Sequence, residues 1–378
     1  SAGSAAVITS DPFNPWTAGA GSLYTVEYFQ DCFRVLEDDG VMAVWVPLYQ
    51  MPVKELRRIF GTFRKVFPEA TAWSAESDVI LTGTRKPVVL DVSSLSPLWL
   101  GEAAQDLSRV GLSRPGDLLA SRIAELRGPD RGAPPPHTDF SPRLEYGSAR
   151  AYNRYTVPEN LREMSFLSEN GPESAFIRAT LEAKALRWEG RLAQAVDKLE
   201  EARGIKPQSA EARDLLVRFL AMQGWDLAGG GQRSAVLALF RRAEALGMER
   251  QDLLSTWGAL LAWAGYPSEA KPILLKALEE WPGDIRAWHA YGDALMRQGK
   301  PWQASLALSE AVRQVPYNGA SWYRLAQAAS RLGQGDLAKE AFLIAIRHDS
   351  KLKDSPPSGR VTTGAGQQGT VKTFRLPG

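Results

Sequence analysis

The hydrophobic pattern changes period along the chain. A short β-branched run, AAVITS, is stopped by Asp11-Pro12, because a proline cannot donate to a sheet ladder. Leu23, Val26, Tyr28, Phe29, Phe33 and Leu36 then recur near helical spacing, and Gly40 closes the segment, which predicts an amphipathic helix. VMAVWVPLY is apolar on successive positions, the pattern of a strand covered on both faces of a parallel sheet. Leu56, Ile59, Phe60, Phe63 and Phe67 mark a second helix between Pro52 and Pro68, and SDVILTGTR a further strand. Strand, helix, strand, helix, strand predicts an open parallel α/β sheet with crossover helices.

The second half has a different order. Shifted by 34 residues against itself, the chain superposes Gly265, Gly299 and Gly333, Ala270, Ala304 and Ala338, and Ala243, Ala277, Ala311 and Ala345. Leu254, Trp288 and Trp322 keep the same interval, as do Pro282 and Pro316. This resembles the tetratricopeptide repeat, and five units fit, about 174 to 207, 208 to 248, 249 to 282, 283 to 316 and 317 to 350. The second is longer because WDLAGGGQR enlarges its turn. One helix pair cannot bury its apolar face alone, so stacked pairs share a core and curve around a groove. The resemblance implies a protein partner in that groove. Trp257, Trp288 and Trp322 on the first helices suit packing or binding, and Arg286, Arg297, Arg324 and Arg331 suit a basic groove edge or a solvated face.

The expected organisation is therefore a sheet domain over residues 1–92, a helical cap and Pro-rich linker over 93–160, helical repeats over 161–350, and a flexible tail over 351–378. In that tail Val371, Phe374 and Leu376 suit docking on a neighbour.

Composition narrows the chemistry. Among 378 residues, 45 Lys plus Arg against 43 Asp plus Glu leave a net charge of +2, too small a field to suggest nucleic-acid binding. Cys32 is the only cysteine, so neither an intrachain disulfide nor a thiolate metal cage is expected. His137, His289 and His348 stand apart from partners at metal-ligand spacing and read as structural or solvated. The longest apolar run, Val41 to Tyr49, falls short of the roughly 20 residues of a spanning helix. The expected location is cytoplasmic, with membrane association only through an upstream segment or a partner.

Ligands of open α/β sheets sit at the carboxyl ends of strands, where Asp11 lies. Its carboxylate suits either a substrate or an Asp-Pro turn. The stretch from VITSDPFNPW to VPLYQ, with SDVILTGTRKP and HTDFSPRLEYGSARAY, resembles the second half of the catalytic domain of spermidine synthases, over roughly residues 5 to 153. The resemblance implies a Rossmann-like fold of the S-adenosylmethionine methyltransferase type. It also implies aminopropyl transfer from decarboxylated S-adenosylmethionine to a polyamine, with S-adenosylmethionine the alternative co-substrate. An alkylammonium must lose a proton before it attacks, so Asp11 is the implied base. Tyr24 is the implied wall of a polyamine groove, or a packed core ring. Tyr49 and Gln50 leave the next strand as further substrate contacts. Phe13 and Asn14 stand where the family has a second acidic residue. The Gly-rich donor loop is expected before Val7, supplied by an upstream segment or another chain that completes the sheet. Two functions thus remain open: an aminopropyltransferase, or a non-catalytic scaffold that binds partners through its repeats.

Overall fold

The computed structural model describes residues 3–11, 14–88, 95–99, 102–109, 112, 118, 121–126, 134–164, 172–248 and 250–354. The chain divides into two compact units, Ser1–Leu216 and Val217–Gly378.

In the first unit, β1 (Ala5–Ser10) leads through a 3-10 turn (Ala20–Tyr24) into α1 (Val26–Val35) and β2 (Leu36–Pro47). Then come α2 (Val53–Val66), β3 (Glu69–Ala75), β4 (Asp78–Thr84), α3 (Glu102–Arg109) and β5 (Arg122–Glu125). The strand order is β1-β2-β4-β3-β5. Among the described strands only β1 and β2 run parallel; β4 pairs antiparallel with both β2 and β3, and β3 antiparallel with β5.

The sheet is therefore mixed, which corrects the expectation of a parallel one. The segment after Pro68 folds back at Glu76-Ser77 as a hairpin, and Glu76 takes a φ of 53° to close it. β3 escapes a periodicity reading because its buried positions are the small Ala70 and Ala72. β2 is likewise not covered equally on both faces. Met42, Val44 and Val46 are fully buried, while Val41, Ala43 and Trp45 between them are half-buried.

Thr25 caps α1 by accepting a hydrogen bond from Tyr28 N at 3.2 Å. One core joins α1, α2 and the buried sheet face through Phe29, Leu56, Ile59, Phe60, Phe63 and Phe67. Phe63 and Phe67 stack at 4.6 Å, and Phe29 meets Phe63 edge-on at 5.0 Å. Burial of each such ring stabilises by about 1.5–3 kcal/mol.

Residues 134–164 carry α4 (Arg143–Ala149) and α5 (Val157–Met164), which belong to this core through Leu144, Val157, Leu161 and Met164. The Pro-rich stretch before α4 is pinned by polar contacts. Arg58 and Glu55 form a buried ion pair at 2.7 Å, and the Arg58 guanidinium also donates to Pro135 O. His137 is fully buried: Nε2 donates to Gly21 O at 2.9 Å, and Nδ1 accepts from Leu144 N at 3.3 Å. Those partners fix a neutral ring, whose pKa burial pushes down.

The helical array consists of α6 (Pro172–Trp188), α7 (Leu192–Ile205), α8 (Ala210–Gly229), α9 (Arg233–Leu246), α10 (Gln251–Ala264), α11 (Pro267–Glu280), α12 (Ile285–Arg297), α13 (Pro301–Gln314), α14 (Gly319–Arg331) and α15 (Gly335–His348). The unit boundary falls within α8.

Tetratricopeptide-like pairing is visible in contacts that repeat at the sequence interval. Trp288 Nε1 donates to Pro282 O and Trp322 Nε1 to Pro316 O, both at 2.7 Å. Asp284 and Asn318 cap α12 and α14 at equivalent positions. Gly258 and Gly292 admit a leucine from the following helix, because a Cβ on either would sit 2.5 Å from Leu274 Cγ or Leu308 Cγ. Gly265, Gly299 and Gly333 turn each pair with φ of 95°, 70° and 74°, a region that favours glycine. The expected tail begins as a 3-10 turn, Ser350–Asp354, while residues 355–378, including Val371, Phe374 and Leu376, lie outside the described residues.

Candidate functional site

The carboxyl ends of β1 and β2 bring together three of the four residues singled out in the sequence. Asp11 is exposed immediately after β1. Tyr49 is half-buried just beyond β2, its hydroxyl donating to Asn14 Oδ1 at 3.2 Å. Gln50 follows with a φ of 51°, a left-handed backbone that a non-glycine residue rarely holds. Tyr24 is fully buried in the core, where its hydroxyl donates to Trp45 O at 3.0 Å. Pro12 and Phe13 lie outside the described residues.

Electrostatics tie these groups together. Burial pushes the Tyr24 phenol well up, and the Asp11 carboxylate and Tyr49 push it the same way. Burial also raises Tyr49, with Asp78 and Asp11 adding to it.

Asp78, on β4 opposite Pro47, joins the group without any sequence signal, because the hairpin that places it was not foreseen. Its Oδ2 accepts from Ser77 Oγ at 3.2 Å, and its Oδ1 is buried, with no close hydrogen-bond partner among the described residues. Burial raises its pKa and Asp11 reinforces the shift, against the opposing Ser77 hydroxyl and Trp45 indole. Aromatic edges surround the cluster. Trp16 lies 6.0 Å from Tyr49 and 6.4 Å from Tyr152, and Trp45 lies 6.3 Å from Tyr49. Carboxylates among aromatic rings form an environment that favours an organic cation.

A second candidate lies on the first helices of the repeats. Consecutive first helices touch: α10 packs on α12 and α12 on α14, so these helices form one layer. Polar side chains bridge them. Arg218 meets Asp252 at 2.9 Å, Arg324 meets Asp293 at 3.0 Å, and His289 Nδ1 lies 3.0 Å from Ser321 Oγ. Arg286 donates to Thr256 Oγ1 at 3.3 Å and Arg331 to Met296 O at 3.1 Å. Of the arginines singled out in the sequence, Arg324 is thus neutralised by a carboxylate, whereas Arg286 and Arg331 meet uncharged acceptors and Arg297 is exposed.

The tryptophans divide in the same way. Trp257 is fully buried, with Nε1 donating to Val217 O at 3.2 Å, and Trp288 and Trp322 are partly buried against the core. Trp225 and Trp263, near the ends of α8 and α10, pair at 5.6 Å while 36% and 44% exposed. The sequence hid this pair because the WDLAGGGQR insertion takes Trp225 out of the 34-residue register.

Among the described residues, no group of three or more His, Cys, Asp or Glu is placed to hold a metal ion, and no helix is long and apolar enough to cross a membrane.

No protein-family model and no curated protein sequence matches the chain. Solved structures similar to it include YrrB, described as a tetratricopeptide-repeat protein with an unusual peptide-binding site, at 21% identity and a TM-score of 0.38 over 46% of this chain and 86% of that one. MamA residues 41 to the end from Desulfovibrio magneticus RS-1 is similar at 19% identity and a TM-score of 0.39, over 47% of this chain and 96% of that one. A double mutant of MamA from RS-1 is similar at 19% identity and a TM-score of 0.40, over 48% of this chain and 97% of that one.

Proposed function

We propose that the chain is a scaffold that binds a protein partner through the first-helix layer of its repeats. The carrying observation is the Trp225–Trp263 pair, which stays exposed on α8 and α10, whereas Trp257 on α10, Trp288 on α12 and Trp322 on α14 are drawn inward. Exposed paired indoles offer large, rigid contact area, the usual content of an interaction hot spot. Arg286 and Arg297 on α12 and Arg331 on α14 add positive charge to the following first helices, so the fitting partner is an extended segment with an aromatic or aliphatic anchor and acidic neighbours.

Peptides selected on the intact protein from a random display library test this reading. Trp225→Ala with Trp263→Ala is expected to weaken the selected peptides at least about tenfold, as loss of two hot-spot side chains does. Trp302→Ala, which removes a 60% exposed indole from the second helix α13, is expected to leave them unchanged. Equal affinity in the double variant would overturn the proposal.

A second reading rests on the sheet. The parallel β1–β2 pair joined by α1, with Asp11 at its carboxyl edge beside Tyr49, Gln50 and Asp78, supports the later half of a Rossmann-like sheet of the spermidine synthase kind. On this reading Asp11 takes the proton of the attacking amine, Tyr49 and Gln50 contact the polyamine, and Tyr24 supports the edge from the core. β1 pairs on one side only among the described residues, and its Val7 is 66% exposed, which suits further strands from an upstream segment or another chain. Calorimetric titration of putrescine into the intact protein, repeated with Asp11→Asn, tests the edge directly. Unchanged heats in the variant remove Asp11 from it.

A further inference from the structure

The sheet of the first unit has two faces, and neither reading uses the outer one. Met42, Val44, Leu81 and Ala72 share the inner face with the core that joins α1, α2, α5 and α6. On the outer face Trp45, Ile80 and Trp73 stand abreast on β2, β4 and β3. Ala43, Thr82 and Thr71 form the next row. Trp73 Nε1 donates to Thr82 Oγ1 at 2.8 Å, which fixes both side chains on this side. Trp45, Ile80 and Trp73 are half-buried, and none of them belongs to the core. β1 adds Val7, exposed, in register with Val41. A solvated face of antiparallel strands carries polar residues between its buried ones. Two indoles flanking an isoleucine are instead an apolar surface built to be covered.

Charge selects the occupant. Asp78 lies one row beyond Trp45 and Ile80, and exposed Asp11 follows β1 at the same end. Glu69 and exposed Asp39 stand at the other end. Lys86 is engaged there by Asp38 at 3.0 Å, and Arg122 stands on the β5 flank. A second copy of the chain would set carboxylates against carboxylates, and an anionic lipid surface would be repelled. From Asp39 to Pro47, β2 covers about 26 Å at about 3.3 Å per residue, a span that an α-helix covers in about 18 residues.

We propose that the outer face binds an amphipathic helix of a partner protein, with aliphatic side chains on Trp45, Ile80 and Trp73 and lysine or arginine at both ends against Asp39 and Asp78. Such a helix adds the second layer that a two-sided sheet needs, while its charges stay at the solvent edge. This surface is separate from the repeats and takes a partner of the opposite charge.

Isothermal titration of the intact protein with a synthetic helix of about 18 residues tests the face, the peptide carrying leucine along one side and lysine at both ends. Its counterpart with glutamate at both ends is the control. Saturable binding of the lysine peptide is expected, with the glutamate peptide at least about tenfold weaker, as like-charge placement gives. Thr82→Lys, which sets a long cation in the middle row, is expected to weaken the lysine peptide at least about tenfold. Asp39→Asn with Asp78→Asn is expected to weaken it about three- to tenfold, the range of two rim ion pairs. Trp225→Ala with Trp263→Ala is expected to leave it unchanged, and an unchanged melting temperature would verify the fold of each variant. Absence of saturable binding, equal affinity for the glutamate peptide, indifference to Thr82→Lys, or sensitivity to the Trp225 and Trp263 change instead would overturn the proposal. So would a dimer in sedimentation equilibrium that Thr82→Lys dissolves, because the occupant would then be a second copy.

Discussion

Thr156 Oγ1 accepts a hydrogen bond from Met51 N across 105 residues of chain, whereas Trp288 and Trp322 each donate to a proline carbonyl six residues back. The sheet unit closes its core with contacts of that long kind: Asn160 Nδ2 holds Leu48 O and Met51 O, and His137 holds Gly21 O. The array closes with short contacts repeated from pair to pair. A defect in the sheet unit should therefore spread through the whole unit, while a defect in the array should be felt mainly by its neighbours.

The largest expected effect sits in the sheet unit. Phe63→Ala removes a fully buried ring stacked on Phe67 and is expected to cost about 3–5 kcal/mol, read as loss of the first unit's urea transition while that of the second unit, Val217–Gly378, persists. Simultaneous loss of both transitions would break the comparison. Gly292→Val is expected to cost about 1–3 kcal/mol by driving a side chain into Leu308, and Gly258→Val should match it against Leu274. Unequal costs in denaturation would show that the two repeats are not physically equivalent.

A smaller change comes from Asp284→Ala, which removes the carboxylate that accepts from Arg286 N and Ala287 N and is met by Ser255 Oγ. About 0.5–2 kcal/mol is expected, with the added hydrogen exchange confined to α10–α12.

The mildest prediction concerns pH. Burial holds the pKa of His137 and of His289 below the ordinary value, so the unfolded chain binds protons at a higher pH than the folded one does. Stability is then complete above the unfolded histidine value of about 6.5 and falls as pH drops below it. His137→Gln should reduce that slope in the melting of the first unit, and His289→Gln in that of the second.

The array was legible because its requirements recur. Each turn needs a positive φ, so glycine returns at Gly265, Gly299 and Gly333, and each close helix approach needs a small residue at Gly258, Gly292 and Ala326. The sheet was legible only where its pattern is local. β1, α1, β2, α2 and β4 were expected, but β3 hides behind Ala70 and Ala72, and β5 lies in a segment read as cap and linker. The same limit governs the candidate sites. Asp11, Tyr49 and Gln50 follow strands that the pattern reveals, whereas Asp78 depends on an unforeseen hairpin and Trp225 on an insertion that breaks the repeat.

Hydrogen exchange of the intact protein with and without a display-selected peptide tests the scaffold reading most directly. Protection is predicted on α8 and α10 around Trp225 and Trp263, extending toward the exposed arginines of α12 and α14, with the carboxyl edge of β1 and β2 unchanged. Protection confined to that edge, with the helices exchanging as in the free protein, would contradict it.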